Sequence, residues 1–307
     1  MNLLITGAFP ITSAEQAELE ALHYTVTFHQ DERLPVENPG RYEAVVCNGL
    51  FLYNPIEQFA ELRLIQLTSA GMDRVPLDYI QAHGIVLFNA IGVYSIPMAE
   101  WTVMRILELY KNAGRIYANQ STHRWEKDRS WQELSGKTAC IVGYGAYGEE
   151  TAKRLKAFGV QVIAVNRTVR ESPWTDAFYP LEQLEEGLAQ ADLVVLAIAL
   201  TDETRYLINR SRLNRMKPGA ILINAARGGL VDEDALVEAL TSGHLAGAAL
   251  DVFEEEPLSA RNQLWDLPAL LISPHNSFVG EQSHNRCYML VKENLRIYKK
   301  RYRNEDC

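Results

Sequence analysis

The 307-residue chain has few cysteines, no excess of basic residues and no long apolar run. Its four cysteines form no CxxC pair and no metal-ligand spacing, which predicts reduced thiols and no metal site. Thirty Lys and Arg residues stand against 39 Asp and Glu, so the net charge of −9 argues against a nucleic-acid-binding surface. No run reaches the roughly 18 apolar residues of a membrane span, and the N-terminus lacks the pattern of a signal peptide. We therefore expect a cytoplasmic protein without a membrane partner.

The length and the apolar content of 47% predict a folded protein of two α/β domains. Short apolar runs alternate with helical patterns, which is typical of βαβ units and of parallel sheets covered by helices on both faces. Five such runs occupy residues 1–96, and a final helix from about Phe278 is expected to return to them, so that residues 278–307 complete the first domain. The second domain, residues 97–277, begins with one long helix from Pro97 to about Asn119 and continues with six strands.

A glycine-rich turn follows the first strand of the second series. Gly143-Tyr144-Gly145-Ala146-Tyr147-Gly148 has the spacing G-x-G-x-x-G and precedes a helical pattern. Between a strand and a helix, the first glycine permits the tight turn and the second lets the backbone approach a pyrophosphate. The third lets the helix pack closely on the strand. The helix N-terminus offers unpaired N–H groups to the anion. The turn predicts dinucleotide binding, and the alternative is a glycine-rich turn of structural origin.

The residue that ends the next strand decides which dinucleotide is preferred. An acidic side chain there would bond the ribose 2′-hydroxyl of NAD, but this chain has Asn166, followed by Arg167 and Thr168. A carboxylate about 4 Å from a 2′-phosphate would cost on the order of 4 kcal/mol at an effective dielectric constant near 20. Asn166 removes that repulsion and Arg167 adds a charge-assisted contact, so we expect NADP in preference to NAD. The alternative is that Arg167 is a solvated surface residue and the site accepts either.

Three later segments each begin where a predicted strand ends, and they contain Arg227, Glu256 and His275. The carboxyl ends of parallel strands share one edge of a sheet, so these three side chains are expected to converge. Arg227 lies between an alanine and a glycine, Glu256 precedes a proline, and His275 follows one. With these motifs the chain resembles the D-isomer-specific 2-hydroxyacid dehydrogenase family, over nearly its whole length and most strongly over residues 138–277.

The resemblance implies two Rossmann-like or flavodoxin-like parallel-sheet domains with the active site in the cleft between them. It implies that His275 is the general acid for reduction of a 2-keto acid, that Glu256 is its carboxylate partner, and that Arg227 holds the substrate carboxylate. A neighbouring carboxylate favours the charged imidazole. The resemblance also implies a homodimer through the second domain and a set of cofactor-contacting positions: Ala199, Thr204, Ala225, Ala226 and Asp251.

Two loops of the first domain are candidates for the substrate. Backbone N–H groups of Ala70 and Gly71 resemble those that hold the substrate carboxylate in the family, and the alternative is a simple strand-to-helix turn. The loop that contains Gly49 and Leu50 would face the substrate side chain, or its apolar residues would simply pack the hinge. Because residues 48–53 contain no Arg or Lys, we expect a small or apolar 2-keto acid and not a phosphorylated one.

Two departures from the family concern the cofactor, namely Asn166 and the segment Ala197-Ile198-Ala199 in place of a common histidine-x-proline. They do not affect the hydride chemistry. The chain ends without room for a regulatory domain, so we do not expect feedback control by serine. Two alternatives stay open. One is a nucleotide-sensing, corepressor-like binding protein, and the other is a phosphoglycerate dehydrogenase reduced to its core.

Overall fold

The computed structural model describes residues 1–302, in which the chain divides into two units. The first unit comprises Met1–Tyr94 and the residues from Gly280 onward, and the second comprises Ser95–Val279. Each unit is an α/β layer built on one parallel sheet. The predicted fold class of two parallel-sheet α/β domains is therefore confirmed. None of the helices within residues 1–302 is long and apolar enough to cross a lipid bilayer.

The first unit contains a five-stranded parallel sheet in the order β2-β1-β3-β4-β5. Its strands are β1 (Asn2–Thr6), β2 (Thr25–His29), β3 (Ala44–Cys47), β4 (Leu64–Leu67) and β5 (Val86–Phe88). Its first two helices are α1 (Ser13–Ala21) and α2 (Leu77–Ala82). The strand order reverses at β1, where β2 lies on one side and β3 on the other, and the loops at this edge of an open parallel sheet are where ligands bind.

The second unit begins with two helices, α3 (Ser95–Tyr110) and α4 (Ala113–Ser121). The prediction of one helix from Pro97 to Asn119 is therefore wrong. The break lies at Asn112, which has φ 49° and ψ 48°. This left-handed conformation interrupts the helical hydrogen bonds, and asparagine is one of the few residues other than glycine that adopts it readily.

A seven-stranded parallel sheet forms the body of the second unit, in the order β12-β11-β10-β9-β6-β7-β8. Its strands are β6 (Thr138–Val142), β7 (Gln161–Asn166), β8 (Ala177–Pro180), β9 (Leu193–Leu196), β10 (Ile221–Asn224), β11 (Gly247–Leu250) and β12 (Leu270–Ile272). The helices between them are α5 (Ala146–Ala157), α6 (Leu184–Gln190), α7 (Arg210–Arg215) and α8 (Glu233–Thr241).

The sequence predicted six of these strands and missed β8. This half-buried edge strand pairs only with β7 and ends in a proline, so it lacks the continuous apolar run that marks the inner strands. Those inner strands are buried on both faces. In β6, for example, Cys140 and Val142 belong to one core cluster, while Ala139 and Ile141 belong to the other.

The last helix, α9 (Ser283–Tyr302), starts five residues later than Phe278 and packs on the first unit. Its residues Cys287, Val291 and Leu295 recur at every fourth position and are buried in one cluster with Leu3 and Ile5. Cys47, Cys140 and Cys287 are free thiols, as predicted, and all three are buried. Burial raises the pKa of Cys140 to about 12. Cys307 lies outside the described residues.

Candidate active site

The turn after β6 fits the pyrophosphate of a dinucleotide. Gly143 has φ +96°, and a Cβ there would lie 2.4 Å from the carbonyl carbon of Ala197. A Cβ on Gly148 would lie 2.2 Å from the carbonyl oxygen of Gly143, so both positions require glycine. Gly145 is the N-cap of α5 and has no described atom within 4 Å of a Cβ position. Within residues 1–302 no side chain caps this helix, which leaves its first N–H groups for an anion.

Tyr147, within the same turn, contributes no side chain to this site. Its ring is buried, and its hydroxyl is 2.6 Å from Thr102 Oγ1 on α3. Burial raises the pKa of this hydroxyl. The neighbouring Ala146 is exposed. Ala146 and Tyr147 were both predicted to contact the cofactor. At Tyr147 only the backbone is available to a nucleotide.

The end of β7 carries the residues that were expected to select the nucleotide. The backbone N–H of Tyr144 donates to Asn166 Oδ1 at 3.4 Å, which ties Asn166 to the glycine turn. Arg167 and Thr168 are exposed. Sequence reasoning missed Arg170, whose Nη2 donates to the carbonyl of Tyr144 at 3.1 Å and to Glu149 Oε2 at 2.6 Å. The sequence could have pointed to Arg170, because it lies only two residues after Thr168 in a loop that already contains Arg167.

The loop after β9 is closed by its own hydrogen bonds. Thr204 is 2% exposed, and its hydroxyl donates to the carbonyl of Ala199 at 2.8 Å. The same hydroxyl accepts from the backbone N–H of Thr201 at 2.7 Å. Ala199 is exposed. Thr204 therefore shapes the loop, and Ala199 lies on its surface.

The predicted Arg, Glu and His follow three strands that are neighbours in the sheet. Arg227 follows β10, Glu256 follows β11 and His275 follows β12. The first two loops are in close contact, because a Cβ on Gly228 would lie 1.9 Å from the carbonyl carbon of Phe253. The alternating topology thus gathers side chains that are 48 residues apart, Arg227 and His275, at one edge of the sheet.

His275 and Glu256 form a hydrogen-bonded pair. Nδ1 of His275 is 2.7 Å from Glu256 Oε2, and the other oxygen, Oε1, accepts from the backbone N–H of Phe253 at 3.0 Å. About a third of each side chain is exposed, at 32% for His275 and 35% for Glu256. With Nδ1 committed to the carboxylate, Nε2 is the ring nitrogen left to exchange a proton with a ligand.

Asp251 holds the backbone of the loop that carries His275. It is fully buried, and its carboxylate accepts from the Ser273 hydroxyl at 2.5 Å and from the backbone N–H groups of Asn276 and Ser277, both at 2.8 Å. The N–H of His275 donates to the Asp251 carbonyl at 2.7 Å. His275 itself has φ 50°, a conformation unfavourable for most residues. Sequence reasoning assigned Asp251 to the nicotinamide and missed this contact.

Arg227 is half-buried at the end of an internally bonded turn. The Asn224 amide donates to the Arg227 carbonyl at 2.9 Å and accepts from the N–H of Ala226 at 3.1 Å. Nη1 of Arg227 donates to the Ala226 carbonyl at 2.8 Å. Ala225 is buried and Ala226 is half-buried. The turn thus fixes where the arginine side chain leaves the backbone.

In the first unit, the loop after β4 presents two free amide groups. Its carbonyls are occupied: Ala70 accepts from the Asn89 side chain at 2.8 Å, and Gly71 accepts from the Ser69 hydroxyl at 2.9 Å. The backbone N–H groups of Ala70 and Gly71, in contrast, have no acceptor within residues 1–302. Two adjacent free donors are what a carboxylate requires.

The loop after β3 differs from the expectation. Leu50 is fully buried in the core, so it cannot line a ligand surface here, and the exposed side chains are those of Leu52 and Tyr53. The N–H of Gly49 is already bonded to Glu32 Oε2 at 2.7 Å. The assignment of Leu50 is therefore corrected, because its side chain packs in the core beneath the loop. The assignment of Gly49 to the substrate side stays a prediction, with its N–H already used by Glu32.

Comparison with known proteins decides the family. A model described as "D-isomer specific 2-hydroxyacid dehydrogenase, NAD binding domain" matches residues 103–277, more than half of the chain. The chain belongs to this family. Glyoxylate reductase of Pyrococcus furiosus is 33% identical over 252 residues, 80% of this chain and 75% of the relative.

Two further members of the family show its range. D-3-phosphoglycerate dehydrogenase of Methanocaldococcus jannaschii is 34% identical over 246 residues, which are 78% of this chain but only 46% of the relative. The chain thus spans less than half of the length of that enzyme. The crystal structure of a family protein from Xanthobacter autotrophicus, in complex with NADPH and MES, has a TM-score of 0.80 at 28% identity. The superposed region covers 97% of this chain and 95% of the Xanthobacter chain.

Proposed function

We propose that this protein reduces a 2-keto acid to the D-2-hydroxy acid with a nicotinamide dinucleotide. The observation that carries the proposal is the His275–Glu256 pair, 2.7 Å apart, on the sheet whose glycine turn fits a dinucleotide. Family membership supports the same reaction class. A cytoplasmic location and a homodimer belong to this proposal as expectations from sequence.

The chain's own residues supply the proton and the orientation of the substrate. When bound, the reduced nicotinamide supplies a hydride to C2 of the keto acid. Nε2 of His275 donates a proton to the carbonyl oxygen as the negative charge develops there. Glu256 fixes the orientation of the ring through Nδ1 and so leaves Nε2 for the ligand. Arg227 and the free N–H groups of Ala70 and Gly71 hold the substrate carboxylate. The placement of the substrate between the two units stays a prediction.

The proposed nucleotide is NADP, with NAD as a possible second cofactor. Asn166 leaves the end of β7 without the carboxylate that would repel a 2′-phosphate. Arg167 is exposed beside it, and Arg170 lies over the Tyr144 ring at 5.2 Å from its centre. The Arg167 guanidinium next to Asn166 favours a phosphate over a hydroxyl, whereas Arg170 is already paired with Glu149. The relative that was solved with NADPH supports this choice.

A phosphoglycerate dehydrogenase activity is the second candidate, because curated relatives with that name match most of this chain. Absence of lysine and arginine from residues 48–53 argued against a phosphorylated substrate. Residues 48–53 form only one of the loops at this edge of the sheet. Arg33 and Arg74 follow β2 and β4 at the same edge of the sheet, so basic residues outside residues 48–53 are available to an anionic substrate.

The test is a turnover assay with the purified chain. We expect oxidation of NADPH with at least one of glyoxylate, hydroxypyruvate, pyruvate, phenylpyruvate, a branched 2-keto acid, 2-oxoglutarate or 3-phosphohydroxypyruvate. With the best substrate, kcat/KM for NADPH should exceed that for NADH at least about tenfold, a difference of about 1.4 kcal/mol.

Two outcomes would contradict parts of this proposal. A tenfold preference for NADH refutes the nucleotide assignment and leaves the reaction intact. Nucleotide binding without turnover of any keto acid refutes the reaction and favours the corepressor-like alternative.

A further inference from the structure

The first unit contains an open pocket of about 430 Å³ at the carboxyl edge of its sheet. The loops that follow β1, β2, β3 and β4 all contribute to its lining. The strand order reverses at this point, between β2 and β3 on either side of β1. A pocket of this volume lies within the range of small-molecule sites, and this edge of an open parallel sheet is the usual place for them.

The pocket adjoins the loop with the free amide groups. Gly49, which lines the pocket, follows β3, while Ala70 and Gly71 follow β4. β3 and β4 are hydrogen-bonded neighbours, with Cys47 opposite Leu67, so their loops leave the sheet side by side. Arg74, also on the pocket wall, is only three residues beyond Gly71. A substrate whose carboxylate is held at Ala70 and Gly71 therefore has the pocket next to it.

The two carboxylates of the pocket already have their donors. Asp31 accepts from Nε and Nη2 of Arg33 at 2.9 and 2.8 Å, and these hydrogen bonds hold the pKa of Asp31 at about 2. Glu32 accepts from the Thr6 hydroxyl at 2.5 Å and from the N–H groups of Asn48 and Gly49, both at 2.7 Å. The acidic side chains therefore build the pocket and fix the loop after β3.

Arg74 is the charged group of the pocket that lacks a partner. It is half-buried and forms no ion pair or hydrogen bond within residues 1–302. A partly desolvated guanidinium without a counter-charge favours an anionic ligand, and its planar fork matches a carboxylate, a sulfonate or a phosphate. Tyr53 and Gln30 also line the pocket, and their side chains carry further donor groups.

We propose that Arg74 binds a second anionic group, at the end of the 2-keto acid remote from the reacting carbon. This inference rests on the proposed function. It replaces the expectation of a small or apolar substrate, which depended on the absence of basic residues from the loop after β3 alone. Arg74 is then the residue that selects dianionic over monoanionic substrates.

The experiment compares substrates that differ mainly in the distal group. Initial rates are measured for 2-oxopentanoate, a monoanion, and for 2-oxoglutarate, the dianion of the same chain length. Sulfopyruvate and 3-phosphohydroxypyruvate identify which distal anion is preferred. Arg74→Met removes the charge at similar side-chain length. Arg63→Met is the control, because Arg63 is exposed and lies outside the pocket.

We expect the best dianionic substrate to have a kcat/KM at least about tenfold above that of 2-oxopentanoate, or about 1.4 kcal/mol. Arg74→Met should remove this advantage and leave 2-oxopentanoate within about threefold, mainly through KM. Arg63→Met should behave as the wild type. If the wild type turns over keto acids without preferring a dianion, or if Arg74→Met slows both classes equally, the inference is wrong while the proposed function stands.

If no keto acid is reduced, the proposed function fails and binding decides the inference separately. Thermal unfolding is then followed with D-2-hydroxyglutarate and with D-2-hydroxypentanoate. A larger increase in Tm with the dianion, lost in Arg74→Met, supports an anion site at Arg74. Equal increases, or a difference that persists in the variant, overturn it.

Discussion

At the scale of single residues, the contact between His275 and Glu256 determines the proposed chemistry. Glu256 is one of three adjacent glutamates, and only the resemblance selected it from the sequence. In the structure two of these glutamates have different partners. Glu256 is hydrogen-bonded to His275, while Glu254 accepts from the Tyr206 hydroxyl at 2.7 Å. Which of three neighbours meets a distant histidine depends on backbone angles in the loop, and the sequence pattern does not report those angles.

The residues that were missed or misassigned share one physical cause. Leu50 was assigned to a ligand surface and is buried, whereas Arg74 was overlooked. Each assignment depended on a loop considered alone. Pocket walls are assembled from several strand ends, and their residues come from loops that the sequence does not show to be neighbours.

Asp251 gives a prediction at this scale. Asp251→Asn replaces one acceptor oxygen with a donor, so either the N–H of Asn276 or that of the buried Ser277 loses its acceptor. We expect a loss of about 1–3 kcal/mol in the free energy of unfolding, measured by urea denaturation. Because the loop of His275 shifts, kcat should fall at least about tenfold, since a misplacement of about 1 Å can reduce a rate a hundredfold.

The control distinguishes positioning of His275 from a direct nucleotide contact. Under the positioning role, the Kd for NADPH stays within about threefold in Asp251→Asn, and Ser273→Ala, which removes one of the three donors, has a smaller effect of the same kind. A large increase in Kd with unchanged stability would instead assign Asp251 to the nicotinamide.

At the scale of helices and strands, the strands with continuous apolar runs were predicted correctly. The break between α3 and α4 and the edge strand β8 were not. Inner parallel strands such as β6 and β9 are buried on both faces and therefore appear as continuous apolar runs. The break at Asn112 depends on one residue in a left-handed conformation, and no periodic pattern marks it. The edge strand β8 was missed because it is only half-buried.

The helices at the start of the second unit lead to a prediction about assembly. Ile116 and Tyr117 on α4 and Trp125 just after it are exposed, at 38%, 60% and 98%. Exposed apolar side chains this close in sequence favour a protein interface. We expect light scattering to give twice the mass of one chain, and Tyr117→Ser combined with Trp125→Ser to shift the protein toward the monomer.

A matched control is available in the same unit. Trp265 is 50% exposed at a site remote in sequence, and Trp265→Ser should leave the mass unchanged. Circular dichroism of each variant checks that the fold is retained. A wild-type protein that is monomeric at micromolar concentration would contradict the expected homodimer.

At the scale of the whole molecule, the alternation of strands and helices was enough to predict two parallel-sheet layers. Parallel connections require crossovers, and in an open sheet those crossovers place the functional loops at one edge. The sequence did not predict the strand orders, because pairing between strands remote in the chain depends on packing of the complete sheet. The free amides at Ala70 and Gly71 likewise became visible only once every neighbouring donor and acceptor was placed.

The central claim is that His275 donates the proton that completes reduction of the keto acid, and His275→Ala tests it most directly. We predict that kcat falls at least about a hundredfold, as expected for loss of a general acid, while NADPH binds with unchanged affinity. His284→Ala, a histidine of the first unit paired with Glu15, should keep the wild-type rate. A His275→Ala enzyme with a near-normal kcat would contradict the account.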